Sequence, residues 1–148
     1  MEIQIKKFHQ LSPDQLYQIL KLRVDVFVVE QNCPYPELDN SDQSAEHFFV
    51  EKDGVPKAYL RLNVSNENKA KISRVVTASD FRGKSASRKL IEKALEISKN
   101  QEEIKSVVLQ AQDYLTDFYA SFGFEKTSDV YLEDGIPHVD MGKQMNRE

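Results

Sequence analysis

The sequence predicts a mixed α/β domain whose sheet is largely antiparallel, with about seven strands and flanking helices. Three observations carry that prediction. Short runs of alternating or continuous apolar residues outnumber helical stretches and follow the order β-α-β-β-β-α-β-α-β-β. Asp53-Gly54 and Asp134-Gly135 each sit between such runs, where a tight hairpin needs residues that tolerate positive φ. Two longer segments repeat apolar residues at helical spacing.

Residues 3–8 alternate apolar and polar, with Ile3, Ile5 and a closing Phe8, and read as a first strand. Ser12-Pro13-Asp14-Gln15 supplies an N-cap, a proline at the first helical position and a glutamine three residues after the cap, so a helix starts there. Its stripe is Leu16, Ile19, Leu20, Val24 and Phe27, and the pattern ends near Val29 to Gln31, before Cys33-Pro34-Tyr35-Pro36. Asn32 to Glu46 is polar and turn-rich. Loops of about 12–15 residues without structure are often functional, and this one, with the carboxylates Glu37, Asp39 and Asp42, is expected to hold part of the substrate site.

His47 to Glu51 and Lys57 to Val64 read as strands joined around Asp53-Gly54. After a polar turn at Asn66 to Asn68 comes a strand ending at Thr77, then a helix from about Lys84 to Asn100 with Leu90, Ile91, Ala94, Leu95 and Ile97 on its inward stripe. Ser106 to Ala111 contains Val107-Val108-Leu109, a run suited to a strand covered on both faces. A short helix from Tyr114 to Phe122 stops at Gly123, and Phe124 opens a last hairpin whose return strand holds His138, Val139 and Met141. With no repeat, low-complexity tract or interior linker, residues 1–148 read as a single domain.

Hydrophobic residues at 40% and charged residues at 30%, of both signs, exclude a disordered chain, and no apolar run approaches the roughly 20 residues that span a bilayer. A net charge of −4 argues against a general nucleic-acid binder and suits a cationic small substrate. Cys33 is the one cysteine and has no partner for an internal disulfide, and the N-terminus lacks a charged-then-apolar signal segment; a cytoplasmic location is expected. His9, His47 and His138 are too far apart in the chain to suggest a metal site. No histidine stands near Cys33 in a triad pattern, so its thiol reads as an unreactive loop group.

Two segments carry the chemistry. Arg82-Gly83-Lys84-Ser85-Ala86-Ser87 joins a strand holding Val75, Val76 and Thr77 to an amphipathic helix. A turn of small residues that opens a helix presents backbone N–H groups without intrahelical partners and the positive end of the helix dipole, which together suit a phosphate. Arg82 and Lys84 add cationic side chains. This segment resembles the acyl-CoA-binding motif of the Gcn5-related N-acetyltransferases (GNAT), an Arg/Gln-x-x-Gly-x-Gly/Ala loop, with the two glycine positions falling on Ser85 and Ser87.

Downstream, Phe118-Tyr119-Ala120-Ser121-Phe122-Gly123-Phe124 resembles the same family's Phe/Leu-Tyr-x-x-x-Gly-Phe pattern. Leu22 to Gln31, Asn32-Cys33-Pro34-Tyr35, Glu37-Leu38-Asp39, Asp42, His47, Leu109 to Gln112, Gly135-Ile136-Pro137-His138 and Met141 are similar to its ElaA-like branch, so the resemblance spans nearly the whole chain.

The resemblance implies a sheet splayed between its fourth and fifth strands, with acyl-CoA in the opening. It also implies an acetyl-CoA-dependent N-acetyltransferase, without metal, acting on a small-molecule or peptide amine. Arg82 to Ser87 would hold the pyrophosphate, Val75, Val76, Thr77 and Gln112 would meet the pantetheine, and Tyr119 would protonate the departing thiolate. A packed aromatic is the other reading of Tyr119. The direct mechanism needs a general base, for which Glu30, Glu46, His47 and His138 all stand as candidates. Two other functions share the expected fold: an acyl-CoA-binding or regulatory module without turnover, suggested by the serines in the loop, and an acyl-homoserine-lactone synthase, faintly suggested by Arg23 to Phe27 with Glu37-Leu38-Asp39 and Asp42. No nucleic-acid or membrane partner is expected, and the assembly would be a monomer or homodimer.

Overall fold

The structure, a computed structural model, describes residues 1–146. Its strands are β1 (Gln4–Lys7), β2 (Glu46–Lys52), β3 (Val55–Val64), β4 (Lys69–Thr77), β5 (Ser106–Gln112), β6 (Glu125–Lys126), β7 (Tyr131–Glu133) and β8 (Ile136–Gln144). The helices are α1 (Pro13–Arg23), α2 (Ala86–Lys99) and α3 (Thr116–Ala120). The eight strands form one sheet in the order β1-β2-β3-β4-β5-β8-β6, with β7 also on β8. The final hairpin supplies three strands rather than the expected two, because the segment after Gly123 pairs with β8 twice, at Glu125–Lys126 and again at Tyr131–Glu133.

Every strand pair is antiparallel except β4 and β5. Parallel neighbours need a crossover, and α2 provides it. The β4–β5 ladder holds only at Lys69↔Ser106, Ala70↔Val107 and Lys71↔Val108; from there β4 runs on to Thr77 and β5 to Gln112 unpaired with each other. The splay anticipated between the fourth and fifth strands is therefore present.

Alternation along the central strands builds a core on each face. Phe48, Leu60, Leu62 and Ile72 point toward Leu90, Ile91 and Ala94 of α2, whereas Phe49, Tyr59 and Val76 point toward Ile19 and Leu22 of α1. α1 begins as its sequence dictates: Ser12 Oγ accepts from the Gln15 amide, and the Gln15 side chain accepts from the Ser12 amide.

The first helix does not continue to Gln31 as one α-helix. Val24–Glu30 is π-helical, with the Gln31 amide donating to the Val26 carbonyl and the Cys33 amide to that of Val28. The loop that follows has no regular structure up to Glu46, as expected.

Candidate functional site

A cavity of about 820 Å³ opens where β4 and β5 part. Its walls include Val75, Val76 and Thr77 of β4, Gln112 at the end of β5, Glu30 and the following Gln31 at the end of the π-helical segment, Arg82 of the loop before α2, Ser87 in the first turn of α2, Tyr119 of α3 and His138 of β8. Residues far apart in the chain thus face one space.

The β4 wall is built by a bulge. Tyr59 pairs with Val76 and Arg61 with Ser73, so Leu60 stands opposite both Arg74 and Val75, and Arg74 takes φ +56°. A bulge interrupts the ladder and re-aims the strand, and Arg74, Val75, Val76 and Thr77 all line the cavity.

At the loop, Gly83 takes φ +82° and Ser85 φ +61°. Ser85 is the N-cap of α2 but makes no side-chain cap, and no acidic residue lies in the first turn. The uncapped end of a 14-residue helix leaves N–H donors and the positive end of its dipole open to an anion. Ser87 shares a hydrogen bond of 2.6 Å with Thr77, while the Lys84 ammonium lies 4.8 Å from the centre of the Phe81 ring. Arg82 is engaged: its Nε donates to the Thr77 carbonyl and its Nη2 lies 2.8 Å from Glu30 Oε2.

Tyr119 is only 6% exposed, packed edge-on to Phe118 and Phe124, and lines the cavity. Burial pushes its phenol up to about 12, so it is protonated at neutral pH, and among the described residues its hydroxyl has no hydrogen-bond partner. It is an uncommitted donor at the edge of the space.

The candidate bases separate. His47 is wholly buried, its Nε2 bonded to the Asp42 carbonyl and its Nδ1 to the Tyr59 hydroxyl, and burial pushes its pKa down. With both nitrogens occupied inside the protein, His47 is not a base for substrate. Glu46, at the start of β2, is outside the cavity wall. Glu30 lines the cavity but is held by Arg82.

His138 remains. Its Nδ1 lies 2.7 Å from the Ile136 carbonyl, which can only accept, so Nδ1 carries the proton and the neutral ring keeps an open lone pair on Nε2, 4.0 Å from Glu133 Oε2. The ring stacks on Tyr131, whose hydroxyl donates to Asp140 and accepts from Gln110.

The expected acceptor carboxylates correct in part. Of Glu37, Asp39 and Asp42 only Asp39 lines the cavity. Glu37 and Asp42 are buried against arginines: Arg23, with no exposed surface, meets Glu37 Oε2 and Asp42 Oδ1 at 2.7 Å each, and Arg61 meets Asp42 Oδ1 at 3.0 Å. Arg61 and Arg74 both reach Asp39, at 2.8 and 3.4 Å. Partial burial pushes the Asp39 carboxyl up, yet hydrogen bonds from Arg61 and the Ser41 amide, with the charges of Arg61 and Arg74, hold it well below the usual carboxylate range.

Three arginines balance three carboxylates here, so Glu37 and Asp42 fasten the loop instead of presenting charge to a ligand. Sequence reasoning passed over Arg61 and Arg74, and named Arg23 only within the resemblances, not as a partner of these carboxylates. Arg61, between Leu60 and Leu62 in a buried strand, was the available signal, since a buried arginine requires a partner.

Among the described residues no group of three or more His, Cys, Asp or Glu side chains is placed to hold a metal, and no helix is long and apolar enough to cross a membrane. Cys33 is buried on the cavity wall with its thiol 3.4 Å from the Asp134 carbonyl.

Comparison with known proteins agrees with this geometry. The acetyltransferase (GNAT) domain model matches residues 7–145. A UPF0039 protein of Schizosaccharomyces pombe is 44% identical over 143 residues, 95% of each chain, and the protein ElaA of Escherichia coli is 40% identical over 140 residues, 92% of each. Among solved structures, an acyl-CoA N-acyltransferase from Pseudomonas aeruginosa superposes with a TM-score of 0.90 at 38% identity, covering 97% of this chain and 99% of that one. The crystal structure of E. coli ElaA gives 0.89 at 39%, covering 96% and 98%. The acyl-homoserine lactone synthase BjaI gives 0.81 at 18% identity, covering 98% and 83%, a likeness of fold alone. With a splayed sheet, an uncapped loop-to-helix junction and a match over most of its length, this chain belongs to the GNAT acetyltransferase family, alongside the ElaA and UPF0039 proteins.

Proposed function

We propose that the protein transfers an acetyl group from acetyl-CoA to a primary amine by direct attack. The observation that carries this reading is that one cavity, at the β4–β5 splay, joins an uncapped helix N-terminus at one wall to an uncommitted tyrosine hydroxyl and an open histidine nitrogen at others. The residues present fit an acyl-CoA, whose diphosphate suits the N–H groups opening α2.

In this reading Gly83 to Ser87 supply backbone donors to the diphosphate, with Arg82 and Lys84 contributing charge. Val75, Val76 and Thr77 bond the pantetheine and acyl group through the backbone of the bulged strand, and Gln112, now 3.4 Å from Gln31, faces the same arm. Amide groups of the bulge also stabilise the oxyanion that forms when the amine attacks the thioester carbonyl.

His138 Nε2 takes the ammonium proton, directly or through one water, with Nδ1–H fixed on the Ile136 carbonyl. Tyr119 supplies a proton to the sulfur as the carbon–sulfur bond breaks, and its phenolate is restored by the second proton lost from the acetylated nitrogen. Asp39 is the carboxylate of the long loop that faces an acceptor. A small-molecule or peptide amine, a cytoplasmic setting and a monomer or homodimer complete the proposal.

A second reading, a binding module with little turnover, draws support from Ser85, which holds a left-handed conformation that glycine adopts without cost. One assay separates the two. Coenzyme A binding is measured by calorimetry, and thiol release from acetyl-CoA is followed with a panel of amines for wild type and His138→Asn. Amine-dependent thiol release lost in the variant supports catalysis; binding without release with any amine supports the module.

A further inference from the structure

We propose that Glu30 is an internal counter-ion of the phosphate loop, holding Arg82 until a diphosphate-bearing ligand displaces it, and that it thereby sets the affinity and selectivity of the donor site. This rests on the reading of the cavity as an acyl-CoA site. Arg82 Nη2 lies 2.8 and 3.1 Å from the two Glu30 oxygens while its Nε donates to the Thr77 carbonyl, so the edge of the guanidinium that would pair with a phosphate is already taken. Both side chains line the cavity.

The pair is made to be broken. Each side chain is 45% exposed, and ion pairs at such exposure are weak, so a ligand with more than one negative charge, aided by the uncapped N-terminus of α2, outcompetes a single carboxylate. Leaving Glu30 in place beside a bound diphosphate would set like charges against one arginine. The carboxylate must therefore move as the ligand arrives.

Its placement comes from the π-helical segment. Widened i→i+5 turns, marked by the Gln31-to-Val26 and Cys33-to-Val28 bonds, bring Glu30 and Gln31 to the cavity wall at the end of the segment, and π turns inside helices are frequent at functional sites. A base role for Glu30 conflicts with this arrangement, because the group is committed to the donor side before any ligand binds.

The test is calorimetric titration of coenzyme A and of pantetheine into wild type, Glu30→Gln, Glu30→Asp, Arg82→Gln and the Glu30→Gln/Arg82→Gln double variant, with melting temperatures recorded for each. Releasing Arg82 should tighten coenzyme A about two- to fivefold in Glu30→Gln. Pantetheine, without a diphosphate, should be unaffected. Glu30→Asp keeps the charge but shortens the reach, and should tighten coenzyme A as well.

In the Arg82→Gln background the Glu30→Gln gain should vanish. A gain that persists there, or that is absent from Glu30→Asp, is plain repulsion and overturns the proposal. Equal coenzyme A affinity in wild type and Glu30→Gln overturns the counter-ion role while leaving the acyl-CoA reading intact. Failure of every folded variant to bind coenzyme A overturns both.

Discussion

Arg74 Nε donates to Glu37 Oε2 at 2.7 Å, and that same oxygen accepts from Arg23 Nε at 2.7 Å, so one buried carboxylate ties the bulge of β4 to the end of α1. Arg74 sits at φ +56°, a conformation that costs a non-glycine residue roughly 1–3 kcal/mol and persists only where the surroundings enforce it. Glu37 is part of that enforcement.

The first prediction concerns this carboxylate. Removing one partner from a buried pair leaves a charge without compensation and costs roughly 3–5 kcal/mol. Glu37→Gln should therefore lower Tm by about 10 °C, read by calorimetry. Asp39→Asn, on the cavity wall, should raise the acceptor KM more than it lowers Tm. If Glu37→Gln melts with wild type, the charge cluster is not what holds the loop.

A second prediction follows from Ser85. A left-handed conformation costs an L-residue about 1–2 kcal/mol, while glycine gives back about 0.4–1 kcal/mol through its freer unfolded chain. Ser85→Gly should thus leave stability equal or up to about 1 kcal/mol higher, with coenzyme A affinity equal or better. A clear drop in coenzyme A affinity in the folded variant would mean that the serine hydroxyl is itself a ligand to phosphate.

These two residues also mark how far the chain could be read by eye. The Ser12 cap, both Asp-Gly hairpins and the loop opening α2 were legible because each is a local signal, and the strand and helix ends found differ from those expected by a few residues. The charge cluster was not, since Arg23 meets Asp42 across 19 positions and Arg61 meets Asp39 across 22, and no local spacing announces such pairs.

The same limit explains the acceptor carboxylates. A long acidic loop looks like a binding surface until its arginine partners are known. The π-helical turn escaped for a different reason: Val24 and Phe27 fit the apolar stripe of an α-helix, and only the bonding pattern after Arg23 distinguishes the two.

A third prediction is a pH dependence of stability. Burial holds the His47 pKa below its ordinary 6.5, so the unfolded chain binds this proton more readily than the folded one. Stability from this group is complete above about 6.5 and declines as pH falls from there toward the lowered folded value. Asp39 and Asp42 add a second loss below about 4, since both are held low by arginines despite burial. Urea midpoints measured from pH 8 to 4 should fall with acid in wild type, and His47→Gln should flatten the part of that slope just below pH 6.5. A wild-type midpoint that is constant between pH 7 and 5 would show that His47 protonates without cost.

The last prediction turns on Tyr119. Its phenol, pushed up to about 12 by burial, is protonated across the working range, so it should not produce a limb in the pH–rate profile below about pH 10. Tyr119→Phe removes one hydroxyl and keeps the ring against Phe118 and Phe124, so Tm and acetyl-CoA affinity should barely change. General acid catalysis contributes about 10²–10⁴-fold, and kcat should fall within that range. Thiol release by both proteins on an identified amine, across pH 5–10, decides it. An unchanged kcat in the folded variant would reduce Tyr119 to a packing residue and leave the thiolate to depart unprotonated or to take its proton from solvent.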